Sequence, residues 1–195
     1  MSLGRPLEFD PDTVLRAALD LFWCKGYEPT SLADLLEAMN ISKSSMYLAF
    51  KSKRELFIKC LMLYQDQLIN ELSSELEQSS TGFAFFEVVL DMVATGAGEP
   101  AGTRGCMLVN SASEFGQDDP EITQGIAQGL WRISALFQKA IEKGQQDKSI
   151  TTRQDSLSLA NYLGVTLIGL RIFIKAGANK NTAKGVAQTI LKIFS

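Results

Sequence analysis

Apolar residues along the chain recur three and four positions apart almost throughout, and no run of strict alternation bounded by turn residues interrupts them. That periodicity predicts an all-α fold. Asp10 and Pro11 predict the N-cap and first residue of an opening helix, with Val14, Leu15, Ala18, Leu21 and Phe22 along its buried face and Gly26 at its end. A second helix is expected from Ser31, with Leu32, Leu35, Leu36 and Met39 inward, closing at Asn40, one of the few non-glycine residues that accept a left-handed conformation. Ser42 then caps a helix of only about two turns, and Ser52, with Glu55 three residues later, forms a capping box for a long fourth helix reaching about Glu75. Beyond "SSELEQSST" the pattern predicts a larger helical body over 81–95, 103–115, 120–143, 152–176 and 182–194, broken by "GAGEPAG", "GQDDP", "GQQDKS" and "GANKN". The expected organisation is a three-helix head, residues 1–52, followed by a helical body, residues 53–195.

The short third helix, "SKSSMYLAF", carries Tyr47 and Leu48 among serines and a lysine on what should be its wet side: it is either an amphipathic surface helix with a leucine exposed by chance, or a helix whose outer side has a partner. On a wheel of 100° per residue Met46, Ala49 and Phe50 fall on one arc, which leaves Lys43, Ser44, Tyr47 and Leu48 facing outward. That outward set suits a DNA groove. Lys43 can reach a phosphate or a guanine edge, Ser44 a base, and the Tyr47 hydroxyl a phosphate, while Leu48 can touch a thymine methyl. Two short helices joined by a tight turn, the second presenting small polar and basic residues, is the helix-turn-helix arrangement.

Charge supports this locally, not globally. The whole chain carries a net charge of -3. Between Ser42 and Cys60, however, Lys43, Lys51, Lys53, Arg54 and Lys59 face Glu55 alone. The complete lack of histidine excludes Ser-His-Asp and Cys-His catalysis and His-ligated zinc. Cys24, Cys60 and Cys106 are odd in number and far apart, so neither a disulfide framework nor a C-x-x-C motif is present. "GAGEPAG" fits no phosphate-binding glycine pattern and reads as a loop. No catalytic residue, metal or cofactor is expected. "MSLGRPLEFD" lacks the charged and apolar regions of a secretion signal, and the most apolar stretch, 160–174, is interrupted by Asn161 and Arg171 and is too short to span a bilayer. A cytoplasmic protein with no membrane partner is expected.

The segment "AALDLFWCKGYEPTSLADLLEAMNISKSSMYLAFKSKRELF" resembles the N-terminal domain of the TetR family of transcriptional regulators in its alanine-rich first helix, "KGY-x-x-TS", "ISKSSMYLAF" and "KSKRELF". The likeness covers the first third of the chain; beyond it only the helical architecture and "RGCMLVN" match. Asn40 stands where many members have glycine, and Leu48 departs from the polar or aromatic residue common there. The resemblance implies base or groove contacts from Ser42, Lys43, Ser44 and Leu48, and phosphate contacts from Thr30, Ser31, Ser45, Tyr47 and Lys51. Arg5 could enter an adjacent minor groove.

One short recognition helix contacts few base pairs, so specificity calls for a symmetric dimer spanning about one DNA turn. Leu157, Tyr162, Leu163, Val165, Leu170 and Phe173 are spread around the next-to-last helix, which implies burial on two sides, one against the core and one against a partner; the last helix completes a four-helix interface. The family likeness also implies a cavity in the body for a small-molecule inducer, whose occupancy tilts the fourth helix. Candidate lining residues are Phe85, Phe86, Met92, Phe115, Trp131 and Tyr162, with Asn110 and Glu114 sharing a face as polar anchors. Cys106, also a ligand-binding candidate and expected in a first helical turn beside Arg104, is either a reactive thiolate or a small buried apolar group. The reading is a homodimeric, sequence-specific DNA-binding regulator, a repressor released by a small-molecule or thiol-reactive inducer. The alternative is a helical carrier or enzyme that uses the cavity without binding DNA.

Overall fold

The computed structural model describes residues 9–194, and every regular element among them is helical. Helix α1 (Pro11–Lys25) opens as expected: the Asp10 carboxylate accepts hydrogen bonds from the amides of Asp12 and Thr13, and Gly26 ends the helix at φ 88°. Helix α2 (Leu32–Met39) is held by a reciprocal box in which Ser31 Oγ accepts from the Asp34 amide while Asp34 accepts from the Ser31 amide. Lys25 Nζ also donates to that carboxylate at 2.8 Å, and together these bonds hold it well below the usual range, at about 2. Asn40 adopts φ 51°, ψ 45°, the left-handed turn anticipated from its chemistry, and α3 (Lys43–Phe50) follows at once. Helix α4 (Lys53–Gln78) starts with half of the expected box: Ser52 Oγ accepts from the Glu55 amide, but the Glu55 carboxylate turns to Arg54.

The body consists of α5 (Gly82–Thr95), α6 (Pro100–Thr103), α7 (Met107–Phe115), α8 (Pro120–Asp147), α9 (Ser156–Lys175), α10 (Lys180–Leu191) and a short 3-10 turn, Lys192–Phe194. Several boundaries differ from the sequence reading, among them the end of α8, which runs four residues past 143 to Asp147. "GAGEPAG" is not all loop, because Pro100 at a first helical position starts the one-turn α6. The helix expected from residue 103 begins at Met107, since Gly105 takes φ 76° and breaks the run. Asp155, whose carboxylate accepts from the Ser158 amide, starts α9 later than residue 152.

Two buried apolar clusters hold the chain together. In one, Phe85, Phe86, Phe137, Leu163 and Phe194 join α5, α8, α9 and the C-terminal turn. In the other, Phe22, Leu35, Met46 and Phe57 of the head share a core with Met107 and Leu108 of α7 and Ile122 and Ile126 of α8. Helix α4 therefore belongs to both, packing its first half on the head and carrying its second half into the body. Polar ties reinforce the seam: Trp23 Nε1 donates to the Gly105 carbonyl at 3.2 Å, and Arg104 pairs with Asp20 at 3.0 Å. Arg54 forks onto Asp119 at 2.7 and 2.9 Å and reaches Glu121 at 2.7 Å.

At 20 residues α9 is longer than the 160–174 stretch, long and apolar enough on those grounds alone to cross a membrane, which corrects the length argument. Its packing gives another reason for its apolarity. Leu159, Leu163, Leu167, Leu170 and Ile174 are buried inward, while Leu157, Tyr162, Val165, Ile172 and Phe173 are exposed on the opposite face.

Candidate DNA-reading face and ligand cavity

Helix α3 is fixed from below. Met46 and Phe50 are buried against the head core, and the Ile41 amide donating to the Leu36 carbonyl closes the turn that aims the helix. Lys43, Ser44, Tyr47 and Leu48 are brought together on the outward arc; Leu48 is 74% exposed and Tyr47 45%. No ion pair engages Lys43 or Lys51 among the described residues, so both positive charges face solvent. Two other cations of the local surplus are spent internally. Arg54 is held by Asp119 and Glu121, and Lys53 lies over the Tyr27 ring at 4.3 Å.

The hydroxyls divide similarly. Ser44 points outward, whereas Ser42 Oγ accepts from the Ser45 amide at 3.1 Å and lies 2.9 Å from both Ser44 Oγ and Ser45 Oγ. Ser42 thus caps α3 before it can serve anything else, and Ser45 is half-buried beside it. Ser31 is exposed at the start of α2. Thr30 leaves the set of phosphate contacts: it is fully buried, and its hydroxyl donates to the Gly26 carbonyl at 2.6 Å. A carbonyl at the end of α1 needs a donor there, and Thr30 supplies it. Arg5 lies outside the described residues.

A cavity of about 340 Å³ opens in the body between α4, α5, α8 and α9, walled by Leu72, Val93, Ile133, Phe137 and Ile168 among others. Of the residues expected to line it, only Cys106 does so. Phe85 and Phe86 do not line it but are fully buried in the core, each ring packed edge-on to the cavity-lining Phe137. Met92, Trp131 and Tyr162 point outward, with Trp131 70% exposed. Phe115 packs at a tilt against the rings of Tyr27 and Phe57 at the head seam. The two supposed polar anchors are committed to the protein itself. Glu114 accepts from the amides of Tyr27 and Glu28 at 2.9 and 2.6 Å. Asn110 donates to the Arg104 carbonyl and accepts from Lys175 Nζ, both at 2.9 Å. The aromatic choice failed because ring size marks core as readily as it marks a pocket.

Cys106 is the N-cap of α7, not part of its first turn, and is buried. Tyr64 donates its hydroxyl to Cys106 Sγ at 3.6 Å, while Arg104, the expected neighbour, is turned to Asp20 and over the Trp23 ring at 5.5 Å. The polar wall of the cavity was missed altogether: Ser134, Asn161 and Arg171. Its signal was in plain view, because Asn161 and Arg171 are the residues that interrupt the most apolar helix of the chain.

Residues 14–60 match the family model described as "Bacterial regulatory proteins, tetR family", and residues 83–190 match "Tetracyclin repressor-like, C-terminal domain". The chain is 29% identical over 197 residues to the HTH-type transcriptional repressor ComR of Escherichia coli (strain K12), covering 99% of this chain and 92% of ComR. It is 27% identical over 196 residues to the uncharacterized HTH-type transcriptional regulator YezE of Bacillus subtilis (strain 168), covering 98% and 100%. A solved structure of a cysteine mutant of the TetR family regulator CifR, complexed with 26bp double-strand operator DNA, superposes with a TM-score of 0.86 at 28% identity, covering 98% of this chain and all of that one.

Proposed function

Because the chain belongs to the TetR family and is a DNA-binding transcriptional regulator, we propose that it acts in the cytoplasm as a homodimeric repressor, released from its operator when a small molecule fills the body cavity. The outward arc of α3 is the observation that carries the reading: a short helix, buried on one side, offers an amine, a hydroxyl, a phenol and a lone leucine on the other. Lys43, Ser44 and Leu48 meet base edges, and Tyr47, Ser31 and Lys51 hold phosphates. Ser42 and Ser45 act mainly by fixing the first turn of α3. The exposed apolar face of α9 pairs with that of a second copy, with the polar outer side of α10 beside it, which sets two heads for successive major grooves.

Release follows from how α4 is built in. Its second half contributes Leu68 and Leu72 to the cavity wall, and its first half carries the head. A ligand that favours a wider spacing of Leu72 from α9 moves the head with it, and the population shifts by the ligand's differential affinity for the two arrangements. Helix α9 reaches the same seam through Lys175 and Asn110. Selection of duplexes from a random pool tests this reading. A palindrome with half-sites about one helical turn apart, bound by an even number of chains, is expected; an unenriched pool would reject it in favour of a cavity protein without DNA.

A further inference from the structure

Resting on the cavity reading above, we propose that the cavity takes an amphipathic carboxylate, its acid group paired with Arg171 and its alkyl chain running along α9 toward Asn161. Among the described residues that line the cavity Arg171 is the single charged one, and none is a carboxylate. Among the described residues Arg171 makes no hydrogen bond and no ion pair, whereas Arg54, Arg104 and Arg132 all have acidic partners. A half-buried guanidinium facing an apolar chamber has given up water without receiving an anion, and a ligand carboxylate supplies what is missing, in the bidentate geometry an arginine fits. Tyr64 does not fill that role. Its phenol is pushed up by burial and by neighbouring Cys106, with Arg171 pulling the other way, so at neutral pH it remains an uncharged donor directed at sulfur.

The rest of the wall fits the remainder of such a molecule. On α9, Ala160, Gly164, Ile168 and Arg171 form one stripe three and four residues apart, between the core face and the exposed outer face. Gly164 leaves open space beside the chamber, where a Cβ would meet nothing within 4 Å. Asn161 and Arg171 lie ten positions apart, roughly 15 Å along the helix axis. Ser134 Oγ donates to Asn161 Oδ1 at 2.8 Å, which orients the amide and leaves its nitrogen for a polar group at the distal end of a ligand. A cationic ligand would meet an uncompensated like charge, and a neutral one would leave the guanidinium unpaired.

Calorimetric titration of the full chain with decanoate, decan-1-ol and decylamine tests the class directly. Decanoate should bind about tenfold or more tightly than decanol, with decylamine weakest, and in Arg171→Met the gap between acid and alcohol should collapse. Arg171→Lys, which keeps the charge and loses the fork, should retain part of the gap. The wild-type comparison needs no variant and stands even if Arg171→Met fails to fold. Equal binding of acid and alcohol, or an acid preference that survives in folded Arg171→Met, would overturn the carboxylate assignment while leaving a ligand cavity in place. No binding of any of the three to protein that still binds its duplex would overturn the cavity reading too.

Discussion

Substituting Thr30 separates a fold-building hydroxyl from a DNA-contacting one. In Thr30→Val the shape is nearly kept, but the bond to the Gly26 carbonyl is lost and that acceptor is left in a site where Thr30 itself has no exposure. A net hydrogen bond is worth about 1 kcal/mol, and an orphaned buried acceptor adds to the loss, so the expected cost is roughly 1–2.5 kcal/mol. For a chain of this length that corresponds to a fall in Tm of about 2–10 °C. The assay is a urea and thermal melt at one fixed protein concentration, because dimerisation makes apparent stability concentration-dependent, alongside duplex affinity at a temperature where both proteins are folded. Stability should fall and affinity should hold within about twofold, since the side chain faces the end of α1 and not the solvent. An unchanged melt with a large loss of affinity would refute the inward placement and return Thr30 to the phosphate contacts.

Gly82→Ala should destabilise by about 1–3 kcal/mol in the same melts, because a Cβ there would collide with the Ala140 carbonyl and the Gly144 backbone of α8, which cannot swing aside as a side chain would. Leu48→Ala should leave the melt within about 0.5 kcal/mol of wild type yet weaken duplex binding, since most of the Leu48 surface is exposed in the free protein; a clear stability loss would mean that it packs on the protein itself. Hydrogen bonds from Arg54 hold the Asp119 carboxyl at about 2, below its ordinary 3.8. A depressed carboxylate contributes stability that is complete above the unfolded value and fades as pH falls from about 4 toward 2, so Arg54→Met should flatten the pH dependence of the melt across that window. An identical acid profile in the variant would show that the fork does not couple to folding.

How much could be read before the structure depended on whether a residue's role was local. Asp10, Ser31 and Ser42 are caps, and Asn40 is a left-handed turn, because each does its work within three or four residues of itself; sequence spacing contains that information. The outward arc of α3 was legible for the same reason, as an eight-residue helix has only one way to hide Met46 and Phe50. Glu114 and Asn110 were misread because their partners lie far along the chain: Glu114 serves amides 87 and 86 residues earlier, and Asn110 receives Lys175 from 65 residues later. Thr30, whose partner Gly26 is only four residues back, was misread because the family resemblance assigned it to a phosphate. The cavity was the hardest part. Its position depends on which faces of four helices meet, and the charged residue that gives it character, Arg171, looked from the sequence like a mere interruption of apolar composition.

The most direct measurement for the central claim is the affinity of the selected duplex for wild type and for a Lys43→Ala, Tyr47→Phe double variant, titrated by fluorescence anisotropy over a range of salt. The α3 face predicts a loss of about tenfold or more at moderate salt, a shallower salt dependence by roughly one released counterion, and an unaltered melt. Equal affinity and an equal salt slope in the two proteins would mean that DNA is held by some other surface.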